Sequence, residues 1–244
     1  MHIELSGIRF RYARGAAEAL RGCDLSLDCA RITVLMGHNG AGKSTLIRLI
    51  TGQLYGYAGR YRIDGRDQDP LRGEILHRNR IGYAPDVPAL EPHLTGEEMI
   101  RMAASFRGLP ETGFGEALEP YRDRFELGPW LHGKTCAEYS KGMAKKVSLV
   151  MAFIGDPVFH VLDEPFDGLD PLAGRNLRTL LEERREAGRG ALLSSHALDA
   201  AEKVGGEFVL MRAGAIAFAG DREALRAAGG GEGLEAFYLR NLGA

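Results

Sequence analysis

The sequence predicts an α/β fold with a mostly parallel central sheet. Three observations carry this. First, "ITVLMG" at 32–37 is a continuous apolar run, as expected of a strand covered on both faces. "IGYA" at 81–84, "VFHVL" at 158–162, "ALLSS" at 191–195 and "FVLM" at 208–211 are further strand candidates. Second, helical patterns separate most of them, including Asn176 to Glu186 and Leu198 to Lys203. Strands alternating with helices predict parallel pairing. Third, the chain opens differently. Residues 3–12 alternate apolar and polar, Leu20 to Leu27 reads as a second strand, and "RYRIDG" at 60–65 as a third ending in a turn. These predict a small antiparallel β subdomain near the N-terminus. "EFVLMRAGAIAFAG" reads as a hairpin turning at Ala213–Gly214.

Residues 86–138 break the rhythm. They hold Pro88, Pro92, Pro110, Pro120 and Pro129 and no strong strand. A capping box at Thr95–Glu98 opens a helix to about Phe106. We read an inserted helical subdomain. "AAGGGEG" at 227–233 reads as a flexible joint before the amphipathic tail "LEAFYLRNL".

The bulk numbers exclude several classes. The 244 residues suit one large α/β domain or a core with a subdomain. A net charge of −2 offers no broad basic surface for nucleic acid. Cys23, Cys29 and Cys136 lack metal-ligand spacing and are odd in number, which predicts a reducing compartment. "MHIELSGIRFRY" lacks the apolar core of a signal peptide. Apolar stretches such as "VSLVMAFIG" are about half of the roughly 20 residues a spanning helix needs.

"GHNGAGKST" at 37–45 fits G-x-x-x-x-G-K-[ST]. It supplies Gly37, His38, Asn39, Gly40, Ala41, Gly42, Lys43, Ser44 and Thr45 as candidate ATP-binding residues. Glycines let the backbone wrap tightly and aim N–H groups at phosphate oxygens, and the following helix adds its positive end. Lys43 can reach the β- and γ-phosphates, and the Ser44 hydroxyl can ligate Mg²⁺. An apolar strand before the loop and "STLIRLITG" after it give the expected context. Val158 to Leu162 would deliver Asp163 and Glu164 to the same sheet edge, since ligands bind beyond the carboxyl ends of parallel strands. Asp163 can hold Mg²⁺ and Glu164 can polarise a water beside the γ-phosphate. Together these predict a P-loop NTPase.

Three stretches narrow the reading. "YSKGMAKKVSLVMAFIGDP" at 139–157 resembles the signature motif of the nucleotide-binding subunits of ATP-binding-cassette (ABC) transporters, LSGGQ followed by a helix. It keeps Ser140 and Gly142 and departs at Tyr139, Lys141 and Met143; "SKGM" looks like the variant of ABC-2-type exporter ATPases. "SSHAL" at 194–198 resembles the family's switch histidine and puts His196 near the attacking water. "FDGLD" resembles the D-loop and assigns Asp170 to a dimer contact. Tyr12 matches the aromatic residue that stacks on adenine, and the tail looks like that of exporter-type subunits.

The resemblance implies an ATPase in which Lys43, Glu164 and His196 act in catalysis. It implies a head-to-tail dimer, with a second copy or a similar subunit, around two ATP. Ser140, Lys141, Gly142 and Met143 would face the partner's nucleotide. An integral-membrane permease would be driven, from a cytoplasmic position on the inner face of the cell membrane. The core would span 1–85 and 139–226, the helical subdomain 86–138 with its signature helix continuing to about 155, and the tail 227–244.

This chain has Asp86 where the family usually has Gln; a carboxylate there can still ligate Mg²⁺. His38 stands at the motif's Pro and reads as a loop substitution. Lys145 and Lys146 form, with Lys141, a basic cluster in a chain with only six Lys; it reads as a solvated helix face. His160 reads as a satisfied core histidine and Asp167 as a solvated loop residue. "EERREAGR" reads as a solvated face. The competing classes are a soluble ABC ATPase of translation or DNA repair, an ATP-binding regulatory module, and a P-loop kinase. The single cassette and short insertion disfavour the first. Retention of Lys43, Asp163, Glu164 and His196 disfavours the second, and "YSKGM" with "SSHAL" the third.

Overall fold

The computed structural model describes residues 1–68, 79–195 and 202–229, with 234, 237 and 238. Two sheets organise it. β1 (His2–Phe10), β2 (Leu20–Asp28), β4 (Ala58–Ile63) and β5 (Arg66–Asp67) form a four-stranded antiparallel sheet in the order β2-β1-β4-β5. β3 (Ile32–Met36), β6 (Ile81–Ala84), β7 (Phe159–Leu162), β8 (Ala191–Ser194), β9 (Glu207–Arg212) and β10 (Ala215–Asp221) form the second, ordered β10-β9-β3-β8-β7-β6. Its strands pair in parallel except at the β9–β10 hairpin. That hairpin turns at Ala213 and Gly214, both at positive φ. The first strand is shorter than its alternation suggested and stops at Phe10.

The parallel strands are buried on both faces, which is why they read as unbroken apolar runs. Leu35, Phe159, Val161, Leu192 and Val209 share a core with the antiparallel sheet and helix α1 (Lys43–Ile50). The opposite face carries Ala84, Leu162 and Leu193 against helices α2 (Gly96–Phe106), α3 (Phe114–Arg124), α5 (Lys141–Phe153) and α6 (Pro171–Glu186). The short α4 (Trp130–Gly133) adds Leu131 to that core. Burial of Leu46, Ile47, Leu49 and Ile50 fixes α1 to the sheet, each contributing roughly 1.5–3 kcal/mol.

Caps set the helix starts. α2 has the reciprocal capping box: Glu98 N–H donates to Thr95 Oγ1 at 3.3 Å, and Thr95 N–H donates to Glu98 Oε2 at 2.8 Å. α6 begins at Pro171, five residues before the Asn176 that periodicity indicated. Asp170 caps it, accepting from Ala173 N–H at 2.8 Å, and Pro171 fits the first turn because its missing N–H would have had no helical partner. α5 ends under Arg107, whose guanidinium donates to the carbonyls of Met151 and Ile154 and satisfies helix-end acceptors.

The helix Arg222–Ala228 runs into the start of the expected joint, capped by Asp221. Residues 230–233, most of the tail, and Leu198 to Ala201 of the expected helix lie outside the described residues. Leu234, Phe237 and Tyr238 pack on Val34, Met36, Phe208 and Leu210.

Candidate functional site

Two glycines of the loop between β3 and α1 leave no room for a side chain. Gly37 has φ 151°, and a Cβ there would lie 2.5 Å from the Met211 carbonyl oxygen. Gly42 has φ 105°, with the Ala19 carbonyl oxygen 2.8 Å from a would-be Cβ. The loop therefore lies directly on neighbouring backbone. Gly214 N–H donates to the Ala41 carbonyl at 2.9 Å, so the β9–β10 turn braces the loop. Lys43 curls back: its ammonium donates to the Gly37 carbonyl at 2.6 Å and touches that of His38 at 3.5 Å. Burial pulls the Lys43 pKa down; Glu164 and Asp163 oppose that by favouring the cation.

The carboxylates arrive from β7. Asp163 is 5% exposed and its N–H donates to the Ala84 carbonyl at 2.8 Å. β7 and β8 pair with Leu162 opposite Leu193, so the next residues, Asp163 and Ser194, meet at the strand ends. The Ser194 hydroxyl donates to Asp163 Oδ1 and accepts from Glu164 N–H at 2.8 Å. Sequence reading missed Ser194, although a serine at the end of an apolar strand, level with Asp163, was the available signal. Glu164 sits at φ 45°, a left-handed conformation that costs a non-glycine residue on the order of 1–3 kcal/mol. The bond to Ser194 helps hold it there.

Tyr12, the phosphate-loop residues from His38 to Thr45 other than Ala41, Asp86, Asp163 and Glu164 line one open cavity of about 500 Å³. Gly37 and Ala41 are buried and do not line it. The volume is that of a nucleotide-sized ligand site. Tyr12 is 57% exposed, meets Phe10 edge to face at 5.0 Å, and its hydroxyl lies 3.0 Å from Thr45 Oγ1. Ser44, Asp86 and Asp163 bring hydroxyl and carboxylate oxygens to this cavity, the hard donor set that Mg²⁺ takes together with phosphate. His196 lies outside the described residues.

The signature residues sit elsewhere. Ser140 caps α5, accepting from Met143 N–H at 3.2 Å, and is exposed. Ser140, Lys141, Gly142 and Met143 take no part in lining the cavity. Tyr139 anchors the motif's start, its hydroxyl accepting from Gly96 N–H at 2.7 Å while its ring meets Trp130 edge to face.

Several surface readings need correction. The Lys141–Lys145–Lys146 cluster is not one solvated face. Lys141 pairs with Asp167 at 2.7 Å, and Asp167 stays an exposed loop residue, as expected, with that lysine as its partner. Lys146 pairs with Asp170 at 2.9 Å. Lys145 is 1% exposed and points inward. In "EERREAGR", Arg184 is part-buried, bonded to the Tyr121 hydroxyl at 2.8 Å and to Asp156. His160 is buried and stacks on Phe153, but it is only half satisfied: Nδ1 lies 3.3 Å from the Gly190 carbonyl, and Nε2 has no partner among the described residues.

A glycine loop between a buried parallel strand and a helix, faced by a carboxylate pair from a nearby strand of the same sheet, defines the class as a P-loop NTPase. The sequence matches the ABC transporter family model over residues 20–167. It is 33% identical over 209 residues to the ABC-type transporter ATP-binding protein EcsA of Bacillus subtilis, covering 85% of this chain and 83% of EcsA. It is 34% identical over 192 residues to the human phospholipid-transporting ATPase ABCA3, covering 79% of this chain but 11% of that longer protein. A solved structure of an ATP-binding subunit of an ABC transporter superposes with a TM-score of 0.89 at 34% identity, covering 98% of this chain and 99% of that one. The chain belongs to the ABC transporter ATP-binding family and is an ATPase of that family.

Proposed function

We propose that this chain is the ATP-hydrolysing subunit of an ABC-2-type exporter, paired head to tail with a second copy or a similar subunit and driving a separate membrane permease. One observation carries the dimeric reading. The phosphate loop, Asp163 and Glu164 converge on one cavity, while the exposed Ser140 end of α5 is not part of it. A hydroxyl and the free N–H groups at a helix start suit an anion. With its own nucleotide out of reach, that end suits the γ-phosphate held by a partner.

In this reading Tyr12 stacks on adenine, and the loop N–H groups and Lys43 bind the phosphates. Lys43 exchanges its carbonyl contacts for phosphate oxygens. Ser44, Asp163 and Asp86 would hold Mg²⁺, which neutralises phosphate charge when bound. Glu164 orients and deprotonates the attacking water, the resemblance gives His196 the role of switch histidine, and Ser194 holds the Asp163 carboxylate and the Glu164 backbone in place. Asp170, already fixed by Lys146, presents the D-loop to the partner. Catalysis then comes mostly from positioning and charge neutralisation.

Residues 1–85 and 139–226 form the ATP-binding core and 86–138 the arm that meets the permease. Exposed apolar side chains support that surface: Val87 after β6, and Met102 and Phe106 on α2. Among the described residues no helix is long and apolar enough to cross a membrane. In this reading the chain works from the cytoplasmic face of a membrane-spanning partner. Affinity capture from membrane extract tests this. A multi-span membrane protein recovered with the wild type, and lost on Phe106→Asp, is the expected result; recovery of ribosomes or DNA instead would overturn it.

A further inference from the structure

Lys145 is the most deeply buried charged side chain of the signature helix, and its environment is specific. Its ammonium lies 3.3 Å from the Pro85 carbonyl, 3.2 Å from the Asp86 carbonyl and 3.2 Å from the Asp163 carbonyl. An ammonium has three N–H donors, and three carbonyls meet them. A buried cation is tolerated only where such bonds replace its water.

The three acceptors come from two segments. Pro85 and Asp86 follow β6, Asp163 follows β7, and the strands pair side by side with Ala84 opposite Leu162. Lys145 therefore staples the two strand ends together just where Asp86 and Asp163 line the cavity. The staple hangs from α5, whose capping Ser140 lies five residues, about 7.5 Å of helix, away. A rigid helix thus carries the exposed signature at one point and the strand-end staple at another.

We propose that Lys145 is a positioning residue, fixing the backbone of Asp86 and Asp163 to the signature helix so that contact at Ser140 is passed to the metal-binding edge of the same subunit's cavity. The transmission step rests on the head-to-tail reading above; the fixing step does not.

Lys145→Met removes all three donors at similar length, and Lys145→Gln keeps two. Mg²⁺ is titrated calorimetrically into each variant saturated with a non-hydrolysable ATP analogue. Outer-sphere supports of a metal site typically change affinity 10–100-fold, so the Met variant is expected to bind Mg²⁺ about tenfold more weakly and the Gln variant less so. Turnover should fall in the same order while KM for ATP at saturating Mg²⁺ stays within about twofold, since the phosphate loop is untouched. If the Met variant does not fold, the Gln variant decides alone. Unchanged Mg²⁺ affinity in a folded variant, or lowered stability with unchanged Mg²⁺ affinity and turnover, overturns the assignment. Wild-type turnover per subunit that does not rise with protein concentration would instead remove the head-to-tail reading and with it the transmission step, while the Mg²⁺ titration still judges the fixing step.

Discussion

Ser194 places one hydroxyl between two carboxylate residues, donating to the side chain of Asp163 and accepting from the backbone of Glu164. Ser194→Ala leaves both partners short in a buried setting. The expected loss is about 1–3 kcal/mol in urea unfolding, with a fall in turnover larger than any change in KM; unchanged kinetics would reduce Ser194 to a packing residue. His160 acts on stability alone. Burial first, then Arg184, pulls its pKa down to about 3. The folded protein thus keeps it neutral, while the unfolded chain takes up a proton below the ordinary value of 6.5. The unfolded state then binds more protons, so this contribution is fully present above that value and is lost as pH falls toward 3. From pH 7 to pH 5 the loss is about 2 kcal/mol. His160→Leu should show a shallower decline in urea midpoints over that range, and parallel curves for the two proteins would refute the argument.

Elements show how far local signals carry. The start of α2 was legible because a capping box is a purely local device: Thr95 and Glu98 satisfy each other's N–H groups whatever the rest of the chain does. Thr95→Ala should cost about 1 kcal/mol, and the double variant with Glu98→Ala should cost less than the two single losses added, because they share one motif. Thermal midpoints of the four proteins would check this, strict additivity being the contrary result. The start of α6 was just as local, with Asp170 and Pro171 as cap and first residue, yet apolar periodicity begins only later and pointed to Asn176. For α5 the difficulty is different. Lys145 and Lys146 are adjacent, hence about 100° apart around the helix, and composition does not say which of two lysines faces inward. Carbonyls from two other segments decide it, and those meet the helix only in the folded chain.

At the scale of the molecule, the fold class and most strands followed from apolar runs and alternation, but the two-residue β5 and the strand order did not. β3 lies between β8 and β9, strands far along the chain, and no sequence pattern states such pairing. The phosphate loop and the two carboxylates were legible because their spacing is fixed by short-range chemistry, whereas Ser194 reached Asp163 only through that pairing. The same geometry makes assembly a test of the whole. In the head-to-tail arrangement proposed above, ATP would join two copies and hydrolysis would part them. Glu164→Gln keeps the side chain's size and removes the proposed base, a change worth about 10²–10⁴ in rate. With Lys43, Ser44 and Ser140 intact, ATP should still bind, and the variant should run as a dimer on size exclusion with ATP and Mg²⁺ while the nucleotide-free protein runs as a monomer. Ser140→Arg placed in the same background should return it to monomer, because that end of α5 would no longer accept the partner's phosphate. Full ATPase activity in Glu164→Gln would reject it as the base, and a dimer that survives Ser140→Arg would reject the head-to-tail arrangement.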